Sequence, residues 1–162
     1  MPHTTRVLDM KKRLTGLFFF SLALQILAGC GGKFDADKQF CLDETNRHRS
    51  ANGKSALKRS SVLEVFADEG AQVDAQKKEP HSHFKAKNGG GVARAENEIP
   101  GWMGWTLDAF KDNRAIIQKG LQVMMDEGPG GGHYENILGA YTELGCGIYV
   151  NGKEVTVVQD FH

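Results

Sequence analysis

Two β-rich segments separated by Asn151-Gly152 constrain the fold of this chain more than any other feature of its sequence. They span residues 144–150 and 155–161 and are rich in valine, isoleucine and aromatic side chains. Asn-Gly between two such segments predicts a tight β-hairpin turn, because both residues tolerate positive φ angles. Helical segments precede the hairpin, and helices followed by a terminal hairpin predict an α+β domain.

Three upstream segments carry helical patterning. The first begins near Asp37, a candidate N-cap, and ends before Asn52-Gly53. The second has apolar residues at spacings of three and four, and Ser61 with Glu64 at its start is typical of a capping box. The third helix is predicted over residues 109–125, and residues 80–101 between the last two are expected to be irregular.

The N-terminus has the composition of an export signal. Basic residues at 11–13 precede an apolar run of about 15 residues, which is shorter than the roughly 20 that a spanning helix needs. Residues 27–30, Leu-Ala-Gly-Cys, resemble a bacterial lipobox, which predicts cleavage before Cys30 and a lipid on its thiol. An uncleaved anchor with an incidental cysteine is the alternative interpretation. Met10 also opens a more typical signal than Met1 does.

These features divide the chain into a signal peptide (1–29), a lipidated tether (30–37) and one globular domain (38–162). We expect an exported protein that the lipid attaches to a membrane of the cell envelope, the outer membrane in a Gram-negative host because Gly31 follows the cysteine. Removing the signal takes away four of 20 basic and one of 20 acidic residues, which leaves a formal net charge of −3. Without a basic excess, a nucleic-acid partner is not expected.

Cys41 and Cys146 remain once Cys30 is assigned to the lipid. In an oxidising compartment such a remaining pair is a candidate disulfide. It would close a loop of about 105 residues, for which chain entropy predicts roughly 4–5 kcal/mol of stabilisation. Two separate buried thiols are the alternative.

Five residues that bind metals or move protons lie in or beside glycine-rich or irregular segments: His81, His83, Glu96, Glu127 and His133. Two imidazoles and two carboxylates that converge would form a site for a divalent cation such as Zn²⁺ or Mg²⁺. No single spacing among them is diagnostic. From the residues alone, each histidine is expected to be a surface or hydrogen-bonded residue and not a metal ligand.

The C-terminal segments 132–138, 144–149 and 157–161 resemble the signature of the CAP superfamily, the cysteine-rich secretory, antigen 5 and pathogenesis-related group of SCP domains. Residues 46–49 and 95–99 are similar to earlier family segments in the same order. The resemblance implies a three-layer α-β-α sandwich with a small antiparallel sheet. It also implies a central cleft lined by two histidines and two glutamates.

The same resemblance assigns the cleft residues. Glu96 matches the Glu of "G-E-N", His133 the His of "G-H-[YF]" and Glu127 the Glu of "W-x-x-E". The remaining histidine is His81, which fits the common His-Ser, or His83. Glu96 could instead belong to a helix or turn cap, and His133 could simply cap the helix that it opens.

Four positions depart from the family pattern. Ala95 replaces the usual Gly before Glu96, Glu98 stands where an aliphatic residue is expected, Met124 replaces the Trp of "W-x-x-E", and Gly139 replaces a tryptophan. Trp102 and Trp105 could line a ligand groove, or they could pack against a helix. We therefore expect the core of the cleft with an altered shape.

The resulting hypothesis is a non-catalytic binding module with a divalent cation in its cleft and a lipid, sterol or envelope compound as ligand. A metal-dependent hydrolase or peptidase, with Glu96 or Glu127 as general base, is the alternative. Four protein ligands would close the coordination shell that a catalytic zinc keeps open, so binding is favoured over catalysis. A scaffold that presents its surface to a partner is a third hypothesis.

Overall fold

The computed structural model describes Met1 and residues 32–162. The predicted signal peptide, the cleavage site and the lipid on Cys30 lie outside the described residues and stay predictions. Within residues 32–162, no helix combines the length and the apolar character needed to cross a bilayer.

Five α-helices and four β-strands make up the described part of the domain, with short 3-10 helices at Asn88–Gly91 and Gly101–Met103. The helices are α1 (Asp35–Ala51), α2 (Ser61–Lys77), α3 (Ser82–Lys87), α4 (Asn113–Asp126) and α5 (Gly132–Leu138). The strands are β1 (Lys58–Arg59), β2 (Ala95–Ile99), β3 (Glu143–Asn151) and β4 (Glu154–Phe161).

The predicted hairpin is present, but its turn lies one residue later than expected. Strands β3 and β4 pair antiparallel up to Asn151 opposite Glu154, so the two turn residues are Gly152 and Lys153. Gly152 has a φ of +60° at the first turn position, where type II′ turns require glycine. The sheet order is β1-β3-β4-β2, antiparallel except for the short edge strand β1, which runs parallel to β3.

Three helix starts also differ from the sequence prediction, and one of them is α4, which begins at Asn113 and not at residue 109. Helix α1 begins at Asp35, and Asp37 lies in its first turn, where its carboxylate accepts hydrogen bonds from Asn113 and Arg114 of α4. The predicted capping box of α2 is wrong, because Glu64 pairs with Arg59 instead of returning to the helix start. Both acidic residues thus join separate segments of the chain.

The sheet lies between two helical layers. Helix α2 packs on one face so closely that a Cβ added at Gly147 would lie 2.1 Å from the backbone carbon of Ala67. On the other face, α1, α4 and α5 share one core with the sheet, which includes Cys41, Ile116, Ile137, Cys146 and Val157. The predicted α+β three-layer sandwich is therefore confirmed.

A disulfide joins Cys41 of α1 to Cys146 of β3, as the cysteine count predicted. Both residues are buried in the core. Beside the bridge, the Gln159 amide donates to the Thr45 hydroxyl at 2.7 Å. The bridge and this hydrogen bond both attach α1 to the middle of the sheet.

Candidate functional site

Strand β2 places two carboxylates on the same face of the sheet. Glu96 and Glu98 are two residues apart, so their side chains point the same way. His81, which precedes α3 with a left-handed φ of +61°, lies against both of them. Its backbone N–H donates to Glu98 Oε2 at 2.9 Å, and its ring Nδ1 lies 2.8 Å from Glu96 Oε1. We call these three residues the inner group.

The inner group is enclosed and incompletely satisfied. Glu96 and Glu98 are only 7% and 5% exposed. Glu96 Oε2 and Glu98 Oε1 are buried without any hydrogen-bond partner among residues 32–162. Burying a carboxylate oxygen without a partner is costly, and a bound cation would remove that cost.

The donor set fits a divalent cation. One ring nitrogen or carboxylate oxygen from each of His81, Glu96 and Glu98 lies within 4.8 Å of the others. Imidazole together with carboxylates suits zinc and related metals, whereas Mg²⁺ prefers oxygen ligands alone. The residues present therefore could hold such an ion.

Two further predicted residues form a second ion pair, the outer pair, at the junction of α4 and α5. Glu127 Oε1 lies 2.5 Å from His133 Nδ1, and Glu127 Oε2 accepts from the His133 backbone N–H at 3.1 Å. Both side chains are about one-third exposed, at 33% and 35%. The imidazole centroids of His81 and His133 are 6.5 Å apart, so the outer pair faces the inner group across one cleft.

Between the two groups lies a cavity of about 390 Å³. Its polar end is formed by His81, Glu98, Glu127 and His133, and its apolar wall by Ile99, Pro100, Met103, Trp105, Val123 and Met124. Of the two candidate tryptophans, Trp105 lines this cavity while it stacks on Phe110 at 5.3 Å between ring centroids. An amphiphilic molecule would match a cavity with these two ends.

Burial and pairing shift the pKa values of the two groups in different directions. Burial raises the pKa of Glu98 to about 7 and also raises the pKa of Glu96, while the Glu96 hydrogen bond raises that of His81. In the outer pair, the hydrogen bond from His133 lowers the pKa of Glu127. The outer carboxylate therefore stays ionised to lower pH than the inner carboxylates do.

A further acidic residue lies beside Glu96 on the neighbouring strand. Asp160 of β4 is fully buried opposite Glu96 in the strand register, and no group among the described residues donates a hydrogen bond to either of its carboxylate oxygens. Burial, followed by repulsion from Glu96 and by a hydrogen bond that protonated Asp160 makes with Glu96, raises the pKa of Asp160 to about 9. Its proton lets these two neighbouring carboxyls coexist.

His83, the alternative cleft histidine, lies behind His81. Its buried ring packs on Phe66 with 4.6 Å between centroids, and it does not line the cavity. Asp74 of α2 accepts hydrogen bonds from the Ser82 hydroxyl and the His83 backbone N–H, at 2.7 and 2.8 Å. The Asp74 carboxylate thus attaches α3 to α2 and fixes the position of His81.

The structure brings together the residues that the family resemblance assigned. His81, Glu127 and His133 line the cavity, and Glu96 lies beneath His81. The interpretation of Glu96-Asn97 as a helix or turn cap is wrong, because both residues belong to β2. Sequence reasoning did not assign Glu98 or Asp160 to the site. Glu98 could have been found from its two-residue spacing to Glu96, whereas Asp160 emerges only from the strand register.

Comparison with known proteins agrees with this architecture. Residues 42–161 match the profile of CAP, the Cysteine-rich secretory protein family. The crystal structure of Na-ASP-1 superposes with a TM-score of 0.56 and 15% identity over 76% of this chain and 37% of that chain. An extracellular protein containing a SCP domain from Bacillus anthracis str. Ames superposes with a TM-score of 0.51 and 17% identity, over 78% and 40% respectively.

The chain spans less than half the length of these two structural neighbours. At such sequence identities the likeness establishes the fold alone. No curated protein sequence gives a significant match.

Proposed function

The chain belongs to the CAP (Cysteine-rich secretory protein) family, and on that premise we propose that it is an exported, non-catalytic binding module whose cleft holds a divalent cation. The observation that carries this proposal is the His81–Glu96 pair, in which one glutamate oxygen is bonded at 2.8 Å and the other is buried without a partner in the described residues. A cation would use that free oxygen. The ring nitrogen favours zinc over magnesium as the ion.

The apolar wall of the cavity supports a lipid, sterol or envelope compound as ligand. Met103 and Val123 are exposed although they are apolar, and Trp105 adds an aromatic surface beside them. A ligand could place its nonpolar body on this wall and its polar group at the cation. Attachment through a lipid on Cys30 would hold the domain at an envelope membrane, where such ligands occur.

A metal-dependent hydrolase is the second candidate function. His81, Glu96 and Glu98 leave coordination positions open, as a catalytic zinc requires. Glu127 lies at the same cavity, where it could act on a metal-bound water as general base.

Native mass spectrometry of the purified full-length protein tests the binding function. We expect about one divalent ion per chain, removed by chelator and restored by added Zn²⁺. His81→Gln should lose the ion, whereas the matched variant His83→Gln should retain it, because of the two histidines only His81 is hydrogen-bonded to the Glu96 carboxylate. The same spectra would show a co-purified lipid.

Two results would contradict this proposal. Wild-type protein that takes up no divalent ion from micromolar Zn²⁺ would remove the cation site. Turnover of a peptide and ester panel by the zinc-loaded protein, lost in Glu127→Gln, would support the hydrolase in place of the binding module.

A further inference from the structure

We propose that Glu98, and not Glu127, supplies the second carboxylate of the cation site, beside His81 and Glu96. This inference rests on the proposed function and specifies which side chains bind the ion. It differs from the assignment by family resemblance, in which Glu127 is the second glutamate of the cleft.

Glu98 is already oriented for this role. Its Oε2 is fixed by the His81 backbone N–H at 2.9 Å, while its Oε1 is buried and unpartnered within residues 32–162. An apolar side chain at this strand position would be buried at no such cost. A 5% exposed carboxylate with one free oxygen is therefore explained by a ligand that uses the oxygen.

Glu127 has no oxygen free in the same sense. Both of its oxygens are hydrogen-bonded by His133, one by the ring and the other by the backbone N–H. An ion bound through Glu127 would have to share an oxygen that already accepts a hydrogen bond from His133 at the start of α5. Its exposed position also lets water solvate the charge, so no unsatisfied group there calls for a metal.

Three ligands from the inner group leave part of the coordination shell open. His81 and Glu98 both line the cavity, so the open positions face the space bounded by Trp105 and Met103. An oxygen atom from an amphiphilic ligand can then complete the coordination. The polar end of the cavity would recognise an oxygen-bearing head group through the ion itself.

Zinc titration calorimetry on the full-length protein separates the two carboxylates. Glu98→Gln should weaken zinc binding by at least about 100-fold, since loss of even a partner outside the ligand shell lowers metal affinity about 10- to 100-fold. Glu127→Gln should change the zinc affinity by less than about threefold, because it removes only an exposed ion pair and such pairs contribute little energy. Both replacements keep the side-chain shape and an oxygen acceptor.

Thermal unfolding of each variant with chelator present shows whether it is folded, and Glu98→Asp provides a second charged variant with a shorter reach. We expect Glu98→Asp to bind zinc more tightly than Glu98→Gln does. Loss of zinc in Glu127→Gln with retention in Glu98→Gln would overturn the inference, and so would equal losses in both. In either case zinc uptake by the wild type would still support the proposed function, which fails only if the wild type binds no ion.

Discussion

The inner group and the outer pair contain the same side-chain types, but their carboxylates are stabilised in different ways. In the inner group, His81, Glu96 and Glu98 are enclosed, and two carboxylate oxygens have no partner among the described residues. In the outer pair, Glu127 and His133 bond each other and remain in contact with water. Composition alone therefore does not identify a binding site. The two groups differ in whether all of their carboxylate oxygens have hydrogen-bond partners.

Backbone packing explains this difference. Helix α2 approaches the sheet through Gly145 and Gly147 of β3, and Gly70 of α2 brings the helix over Glu96, where an added Cβ would lie 3.6 Å from Oε2. Water is excluded from that side. The outer pair instead flanks a glycine-rich loop, in which Gly128 and Gly130 have positive φ angles.

The largest expected effect comes from disturbing the packing that encloses the inner group. Gly147→Ala would place a Cβ 2.1 Å from the Ala67 carbonyl carbon, and neither backbone can yield without separating α2 from the sheet. We expect a loss of about 3 kcal/mol or more in the free energy of unfolding, at the upper end of overpacking effects. Urea denaturation measures it.

Gly132→Ala is the matched control beside the outer pair. A Cβ at Gly132 meets nothing within 4 Å, and its residue is the first of α5. Its free energy of unfolding should stay within about 1 kcal/mol of the wild type, since alanine is the better helix former. Equal losses in the two variants would show that the outer side is packed as tightly as the inner side.

The next largest effect is expected from Asp160, the buried residue beside Glu96. Burial raises the pKa of Asp160 from 3.8 to about 9, so the folded protein holds a proton that the unfolded chain releases. Stability should therefore fall as pH rises between about 4 and 9. Asp160→Asn removes this penalty while it keeps the shape of the protonated side chain. We expect it to stabilise the metal-free protein by about 2 kcal/mol at pH 8, where one pKa unit corresponds to about 1.4 kcal/mol.

Denaturation of both proteins in chelator from pH 4 to pH 9 measures this effect. The stability difference should be small at pH 4 and should grow with pH. Asp108→Asn, a change at an exposed aspartate that pairs with Lys153, serves as the control and should show no comparable growth. An Asp160→Asn protein that is less stable than the wild type at pH 8 would mean that the buried carboxylate is satisfied after all.

The sequence predicts those helices and strands whose apolar residues recur at a regular spacing. The three long helices and the terminal hairpin were predicted, since each shows an apolar stripe or an alternating β-rich pattern. Strand β2 lies within residues 80–101, which the sequence predicts to be irregular, because three of its five residues, Glu96, Asn97 and Glu98, are polar although buried. Strand β1 has two residues and gives no periodic signal.

The site was predictable to a similar extent. Family resemblance located Glu96, Glu127 and His133, yet sequence spacing gave no distances and could not separate an enclosed carboxylate from an exposed one. Glu98 was recognised only as a departure from an aliphatic pattern, because its role depends on the strand that places it beside Glu96. The burial of Asp160 follows from pairing across β2 and β4, which joins residues 64 positions apart.

The smallest effect should come from the outer pair. The hydrogen bond from His133 lowers the pKa of Glu127, so the pair contributes stability above the ordinary glutamate pKa of 4.5 and loses it as pH falls through the lower folded value. Glu127→Gln should cost no more than about 1 kcal/mol at pH 7, as exposed ion pairs do, and the cost should shrink as pH falls below 4.5. Denaturation in chelator at pH 7 and at pH values below 4.5 measures both. The pH trend is opposite in sign to that of Asp160, because exposure with a partner favours the charged carboxylate and burial without one disfavours it. A cost above about 2 kcal/mol would place Glu127 among the enclosed groups and remove the physical distinction between the two sides of the cleft.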